Sequence, residues 1–458
     1  MRSRWLFLLL LALTGSGCGG EVSDAPNVLL ISIDTLRADR LGSYGFGRDT
    51  SPAIDALAAD GVLFERAISG ASSTAPSHAS IFTSGYTREH TIGHGNGSTR
   101  IEGGVTLAEA FRQAGYRTAA FVGNVVLNRR IGFDRGFELY DDELPSAEVN
   151  RPEIFERVAR QTTERTLEWL KQRRESPFLL WVHYQDPHGP YTPPDEFARR
   201  FRPEPRSDER ALPVRDDLRG DGGIPSYQAL DGMRFPSFYE ARYAAEIAYT
   251  DHWIGRLLEA VDAASTGTGV IVVLTADHGE SLGEEGRYFV HGTSTTPDQA
   301  HVPLILRAPG LETARRAEIV HHVDILPTLL ELAGIAVPTG ASGVALGPVL
   351  RGEAPMPDRA VYCDDGARLS AYGGGGFVRV SGVGGAWPTE GSEREGSLTP
   401  GWAEFTWLPD GSWVGGAPAE DIPRETVRSY FREAVPMTDA DPYSATLKKM
   451  LRALGYGE

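Results

Sequence analysis

The chain has 458 residues, enough to bury a large core and to divide into two units. Its formal charge of −17 argues against broad nucleic-acid binding and requires a local positive centre to attract any anionic substrate. Mean hydropathy is −0.26, and no apolar stretch after residue 18 approaches the ~20 residues of a membrane-spanning helix.

The N-terminus sets an address. Arg2 and Arg4 are basic, Trp5 to Leu13 is apolar, and small residues lead to Cys18. This pattern predicts a secretory signal over 1–17. Cys18 after small residues resembles a bacterial lipobox, with Gly15 where a Leu is usual. The expected protein is a lipoprotein of the bacterial cell envelope, periplasmic or tethered to the outer membrane. Residues 18–24 form its tether, and the lipid anchor is its only membrane contact. Ordinary signal cleavage nearby is the alternative. Signal removal takes away two arginines and no acid, deepening the negative charge by two.

Next come alternating strands and helices. N-V-L-L-I-S-I-D (27–34) is an apolar run ending in Asp34. Ser51-Pro52 opens a helix that stops near Gly61. Ser73 to Ser80 (S-T-A-P-S-H-A-S) sets the Thr74 hydroxyl at a helix start carrying Pro76. The positive end of that helix favours anions such as phosphate or sulfate, while a plain capping turn is the other reading. A helix is predicted over Leu107–Ala114, a strand over 117–122, a helix over Glu153–Arg173 and a strand over 178–184. Residues 192–236, rich in Pro, Arg and Asp, read as a loop or lid insertion. A helix over Tyr239–Ala264 leads into G-V-I-V-V-L-T-A-D-H-G-E (269–280). Runs apolar on both faces suit buried strands of a parallel sheet covered by helices. Ligands bind beyond the carboxyl ends of such strands, so Asp34, Thr74, Asp277 and His278 are expected to meet there. Three oxygens and an imidazole suit a divalent cation. The domains are set at 25–345 and 346–458. Within the second, residues 376–415 suit a small antiparallel sheet and 424–455 a helix. Cys363 reads as a buried apolar residue, and no cysteine cluster suggests structural zinc.

The ordered motifs at 27–39, 74–85 (T-A-P-S-H-A-S-I-F-T-S-G), 107–122, 181–191 (W-V-H-Y-Q-D-P-H-G-P-Y), 275–283 (T-A-D-H-G-E-S-L-G), 290–294, 302–310 and 322–334 resemble the sulfatase family, within the alkaline phosphatase superfamily. The resemblance implies an α/β fold: a mixed, mostly parallel sheet sandwiched by helices, with a small C-terminal α+β subdomain. It supports Asp34, Thr74, Asp277 and His278 as metal ligands; an Asp-His pair with a Thr hydroxyl favours Zn²⁺ or Mn²⁺, whereas the resemblance points to Ca²⁺, which sulfatases usually hold with more carboxylates. His188 and His291 match substrate-contacting or acid/base positions.

The departures matter as much. Sulfatases carry Cys or Ser, oxidised to formylglycine, where this chain has Thr74, and a secondary alcohol cannot give that aldehyde. The Arg four residues on is His78, the second Asp of the usual pair is Thr35, and the Arg before V-P is His301. The Lys-x-His clamp is absent, with Gly123 and Asn124 near its place. An unmodified Thr is similar to the nucleophile of phosphodiesterase and phosphoethanolamine-transferase branches. The expected function is therefore hydrolysis of a phosphate or phosphonate ester by Thr74, on a small anionic ester of a glycan or lipid. The alternatives are a sulfatase without formylglycine, a phosphoryl-group transferase, and a catalytically silent glycan-binding lipoprotein. Arg37, His78, His90 and Asn124 are assigned to the substrate. For Arg37 an ion pair, and for His90 with His94 and Asn96 a solvated loop, remain open. His183 reads equally as a core histidine or a site residue.

Overall fold

The computed structural model describes residues 25–415 except 91, 93–99, 102, 173–176, 217–218, 266, 268, 374–375, 382–400 and 408–412. The signal and tether, Cys18, His94, Asn96 and the 424–455 helix lie outside the described residues.

Eight strands build the main sheet: β1 (Asn27–Ile33), β2 (Val62–Ile68), β3 (Arg117–Val122), β4 (Leu139–Asp141), β5 (Phe178–Tyr184), β6 (Val270–Ala276), β7 (His301–Arg307) and β8 (Ala314–His321). Their order across the sheet is β8-β2-β7-β6-β1-β5-β3-β4. β7 runs antiparallel to both its neighbours, and every other pairing is parallel. The central strands β1, β5 and β6 are buried at every residue. Strands covered on both faces need mostly apolar side chains, and these carry only Asn27, Ser32, His183 and Thr275 as polar exceptions.

Six helices cover the sheet: α1 (Pro52–Ala59), α2 (Thr74–Thr83), α3 (Leu107–Gln113), α4 (Ala159–Lys171), α5 (Pro236–Ala264) and α6 (Ile325–Leu332). α1 and α4 pack on α5, while α2, α3 and α6 pack together. Alternation along β5 separates the two layers. The Tyr184 hydroxyl bonds Thr163 of α4 at 2.8 Å, whereas Trp181 and His183 on the opposite face meet His78 of α2. The expected mixed, mostly parallel sheet between helical layers is the observed fold.

Two expectations shift. The helix foreseen from Glu153 starts at Ala159. Residues 155–156 pair instead with 146–147 in a short hairpin. Arg157 turns inward to Asp141, at 2.8 Å, and to the Val122 carbonyl. A buried guanidinium needs those partners more than the chain gains from one further helical turn. The 192–236 insertion carries a four-residue helix at Asp195–Ala198 and a pair of two-residue strands, 214–215 and 224–225.

The antiparallel C-terminal sheet starts earlier than expected, at Val361, and has five strands ending at Gly415. Val361, Cys363, Tyr372 and Phe377 pack with Ile68 and Ile319 of the main sheet in one apolar cluster. Among the described residues no helix is long and apolar enough to cross a membrane.

Candidate metal and nucleophile site

The carboxyl ends of β1, β5 and β6 are tied side by side. Asp34 N donates to the Tyr184 carbonyl at 2.9 Å, and Asp277 N to the Ile33 carbonyl at 3.2 Å. Asp34 and Asp277, each one residue past its strand, are thereby neighbours. Thr35 then takes φ of 55°, costly for a β-branched residue. Its N–H donates to Asp277 Oδ1 at 3.1 Å, and its carbonyl accepts from Tyr243 at 2.6 Å. These bonds hold the turn in place.

The first turn of α2 brings Thr74 to the same point. Ser77 Oγ donates to the Asp277 carbonyl at 2.5 Å and meets His322 Nδ1 at 2.9 Å, pinning the helix to the end of β6. Thr74 Oγ1 lies 3.3 Å from His278 Nε2. His278 Nδ1 faces the Gly279 carbonyl at 3.0 Å, so it carries the proton and Nε2 keeps a lone pair. That nitrogen is 3.5 Å from Asp277 Oδ2 and 3.8 Å from Asp34 Oδ1. Asp34, Thr74, Asp277 and His278 are all 0% exposed.

Asp34 Oδ1 and Asp277 Oδ2 are buried without any hydrogen-bond partner. Burial pushes the Asp34 carboxyl well above its usual range, and the Asp277 charge pushes it further. Two buried carboxylates with orphan oxygens, beside an imidazole lone pair and a hydroxyl, fit a divalent cation. Asp34, Asp277 and His278 offer ligand atoms within 4.8 Å of one another.

His78, His183 and Asp277 converge equally closely, but His78 has no lone pair to give. Its Nδ1 donates to the Thr74 carbonyl at 2.8 Å. Its Nε2 accepts from Ser32 Oγ at 2.9 Å, and that hydroxyl in turn accepts from Trp181 Nε1 at 2.9 Å. Burial keeps the ring neutral. His78 therefore supports the first turn of α2 from beneath and does not face the substrate side. His183 is fully buried with both ring nitrogens unpartnered, 3.8 Å from Asp34 Oδ2.

Of the other expected substrate residues, Asn124 is held by its neighbours. Its Nδ2 donates to Asp34 Oδ2 at 2.6 Å, and its Oδ1 caps Val126 N at 2.9 Å. Arg37 forms the ion pairs left open above, its own side chain buried but Asp39 exposed and Glu284 partly exposed, each partner at 2.7 Å. His90 sits at the end of a short helix and meets Ser80 Oγ at 3.2 Å, nearly two turns along α2 from Thr74.

His188 and His291 are brought together, their ring centroids 5.0 Å apart, and His291 lies 4.6 Å from the His278 ring. Gly292 N donates to the Ser72 carbonyl at 2.7 Å, docking the His291 loop beside Thr74. Burial pushes both imidazoles well below their usual pKa, so both rings are neutral.

Glu280 received no role from the sequence. It is fully buried, 3.1 Å from His291 Nδ1, and its other oxygen accepts from Tyr191 at 2.9 Å. Its position two residues past Asp277-His278 was the available signal.

The chain is 29% identical over 370 residues to the Delta 4,5-hexuronate-2-O-sulfatase of Bacteroides thetaiotaomicron, with 74% of each chain covered. It is 27% identical over 413 residues to iduronate 2-sulfatase of Homo sapiens, covering 73% of this chain and 74% of that one. Its fold is similar to that of phosphonate monoester hydrolase of Agrobacterium radiobacter, with a TM-score of 0.62, 20% identity, and 94% and 96% of the two chains covered. The family model described as Sulfatase matches residues 26–335, more than half of the chain, and the protein belongs to this family of ester hydrolases.

Proposed function

We propose that this chain hydrolyses a phosphate or phosphonate ester, using the unmodified Thr74 hydroxyl as nucleophile. The observation that carries the reading is the secondary alcohol of Thr74, 3.3 Å from His278 Nε2 and beside two orphan carboxylate oxygens. No oxidation of this side chain yields an aldehyde, so the formylglycine route is closed to it.

A divalent cation held by Asp34, Thr74, Asp277 and His278 would supply Lewis acidity, lowering the hydroxyl's pKa and drawing in the ester oxygen. Zn²⁺ or Mn²⁺ suits the mixed oxygen and nitrogen donors, and Ca²⁺ is compatible. Thr74 Oγ then forms a bond to phosphorus as the bond to the leaving oxygen breaks, leaving a phosphothreonine. His188 and His291, neutral at pH 7, fit the role of proton acceptors. One of them takes the Thr74 proton and returns it to the leaving oxygen. In the second half, the same group takes a proton from water, which cleaves the phosphothreonine and restores the alcohol.

The sequence relatives are named sulfatases, and this favours a sulfate ester as the second reading. Export to the bacterial cell envelope as a lipoprotein anchored at Cys18 belongs to the same proposal, supported by the basic and apolar leader. A Cys18→Ser chain expressed in a bacterial host should leave the membrane fraction.

The test is a panel of 4-nitrophenyl esters (sulfate, phosphate monoester, phosphate diester and phosphonate) with Zn²⁺, Mn²⁺ or Ca²⁺, run beside Thr74→Ala. Turnover of a phosphorus ester should vanish in Thr74→Ala. Sulfate turnover lost in the same variant would sink the phosphorus preference. No turnover and no bound metal would favour a binding protein.

A further inference from the structure

His183 has no task among the groups so far described. It precedes Tyr184 at the end of β5, held in register between Ser32 of β1 and Val122 of β3. Strand alternation turns it away from Tyr184, whose hydroxyl meets α4. Its ring stands on the α2 side of the sheet, 5.0 Å from the His78 ring and 0% exposed.

Both of its ring nitrogens lack a hydrogen-bond partner. Two other buried histidines, in or beside α2, show what is usual. His78 donates to the Thr74 carbonyl and accepts from Ser32, and His322 meets Ser77 and Thr275. A neutral imidazole has one N–H and one lone pair, and leaving both unmatched in the interior is costly. An orphan of this kind needs a reason.

The reason lies in what Nε2 faces. It is 3.8 Å from Asp34 Oδ2, and a ring nitrogen of His183 lies within 4.8 Å of a carboxylate oxygen of Asp277. Bonds of about 2.1 Å to one ion set two ligand atoms about 3 to 4.2 Å apart, a spacing too long for a good hydrogen bond over most of its range. His278 Nε2 keeps the same spacing, 3.5 Å from Asp277 Oδ2 and 3.8 Å from Asp34 Oδ1. The two imidazoles therefore approach Asp34 alike, one beside each oxygen. Oδ2 accepts from Asn124 and keeps a further lone pair for an ion.

We propose that His183 Nε2 is a fifth ligand of the cation held by Asp34, Thr74, Asp277 and His278. A ligand role matches the lone pair that nothing else in its surroundings uses, and the proton then sits on Nδ1. The second imidazole changes the class of ion. Imidazole suits Zn²⁺, whereas carboxylate and carbonyl oxygens suit Ca²⁺ and Mn²⁺. His183 thereby narrows the resident ion to Zn²⁺. The inference rests on the cation site of the ester-hydrolase reading and deepens it.

The experiment measures metal binding to the full chain, with no substrate present. Electron spin echo spectra of the Mn²⁺-loaded chain, grown with ¹⁵N-histidine, count the coordinated imidazoles. The wild type should show two and His183→Gln one. Chelator competition then gives the affinities for Zn²⁺ and Ca²⁺ separately. His183→Gln should weaken Zn²⁺ binding by more than the roughly 10- to 100-fold that losing a partner behind a ligand costs. Ca²⁺ binding should change less than about threefold, because Ca²⁺ takes oxygen donors and the Gln carbonyl offers one. A general loosening of the site would lower both affinities together and leave their ratio unchanged. One imidazole in the wild type, an unchanged ratio, or a second ion held by His183 alone would overturn the inference. The wild-type spectrum decides even if His183→Gln fails to fold. A chain that binds none of these ions removes the cation site itself, whereas metal-dependent turnover with a single coordinated imidazole removes only His183.

Discussion

At the scale of single residues, the site depends on groups that hold its donors in place. Asn124 is the clearest: its amide nitrogen takes one oxygen of Asp34, leaving the other turned to the cation position. Asn124→Ala frees the carboxylate to rotate and should weaken cation affinity roughly 10- to 100-fold, as losing a partner behind a metal ligand does. Competition with a chelator measures this, and unchanged affinity would remove Asn124 from the site. Glu280 plays a similar part for His291, with Tyr191 fixing its second oxygen. Glu280→Gln keeps the shape but not the carboxylate. It should lower kcat roughly tenfold with KM little changed, because ring orientation matters most when a proton moves. Bound metal should stay the same, so a loss of metal in this variant would point to a purely structural role. The contrast between Asp277 and Glu280 shows what the sequence makes legible. A carboxylate at the end of an apolar strand announces itself by position. One that acts across a loop, on a histidine 11 residues away, appears only once both loops are in space.

At the scale of elements, α5 carries an exception to the rule that buried charge is avoided. Asp251 lies 1% exposed on this long helix and caps α1, accepting from Ala53 N at 3.1 Å and Ile54 N at 2.8 Å. Burial nevertheless pushes its carboxyl up to about 7. A folded-state pKa above the unfolded one means the group favours the fold while protonated. That contribution is complete below the unfolded value, near 3.8, and is lost as pH rises through about 7. The Tm of Asp251→Asn, measured against the wild type from pH 4 to 8, should therefore gain on it as pH rises. A constant difference across that range would contradict the assignment. The strands β1, β3, β5 and β6 and the helices α1, α3 and α5 were legible because their apolar runs or periodicity and their Pro or Gly boundaries agree. The start of α4 was not, because Arg157 obeys a buried partner, Asp141, that local pattern does not encode.

At the scale of the whole molecule, the site is where distant parts of the chain are joined. Asp34 follows the first strand, Thr74 opens a helix about 40 residues on, and Asp277-His278 follows a strand more than 200 residues later. The sheet order β5-β1-β6 makes them neighbours, and the antiparallel β7 joins β6 to β2 and β8. Such a site charges the fold a cost when empty of positive charge: two carboxylates, fully buried, with an orphan oxygen each. A cation that binds only the assembled ligands offsets this cost and stabilises by mass action, about 2.7 kcal/mol at a free concentration 100 times its Kd. Chelation should then lower Tm by a few degrees, since a chain this long spreads each kcal/mol over a large unfolding entropy. Asp34→Asn supplies the control, because it removes one charge of the buried pair and one ligand at once. Its Tm should be insensitive to chelator, and it should lie above that of the chelated wild type if the repulsion between Asp34 and Asp277 is the dominant strain. A chelated wild type as stable as the loaded one would show that the two carboxylates are satisfied by protonation alone, and the site would lose its claim to a resident metal.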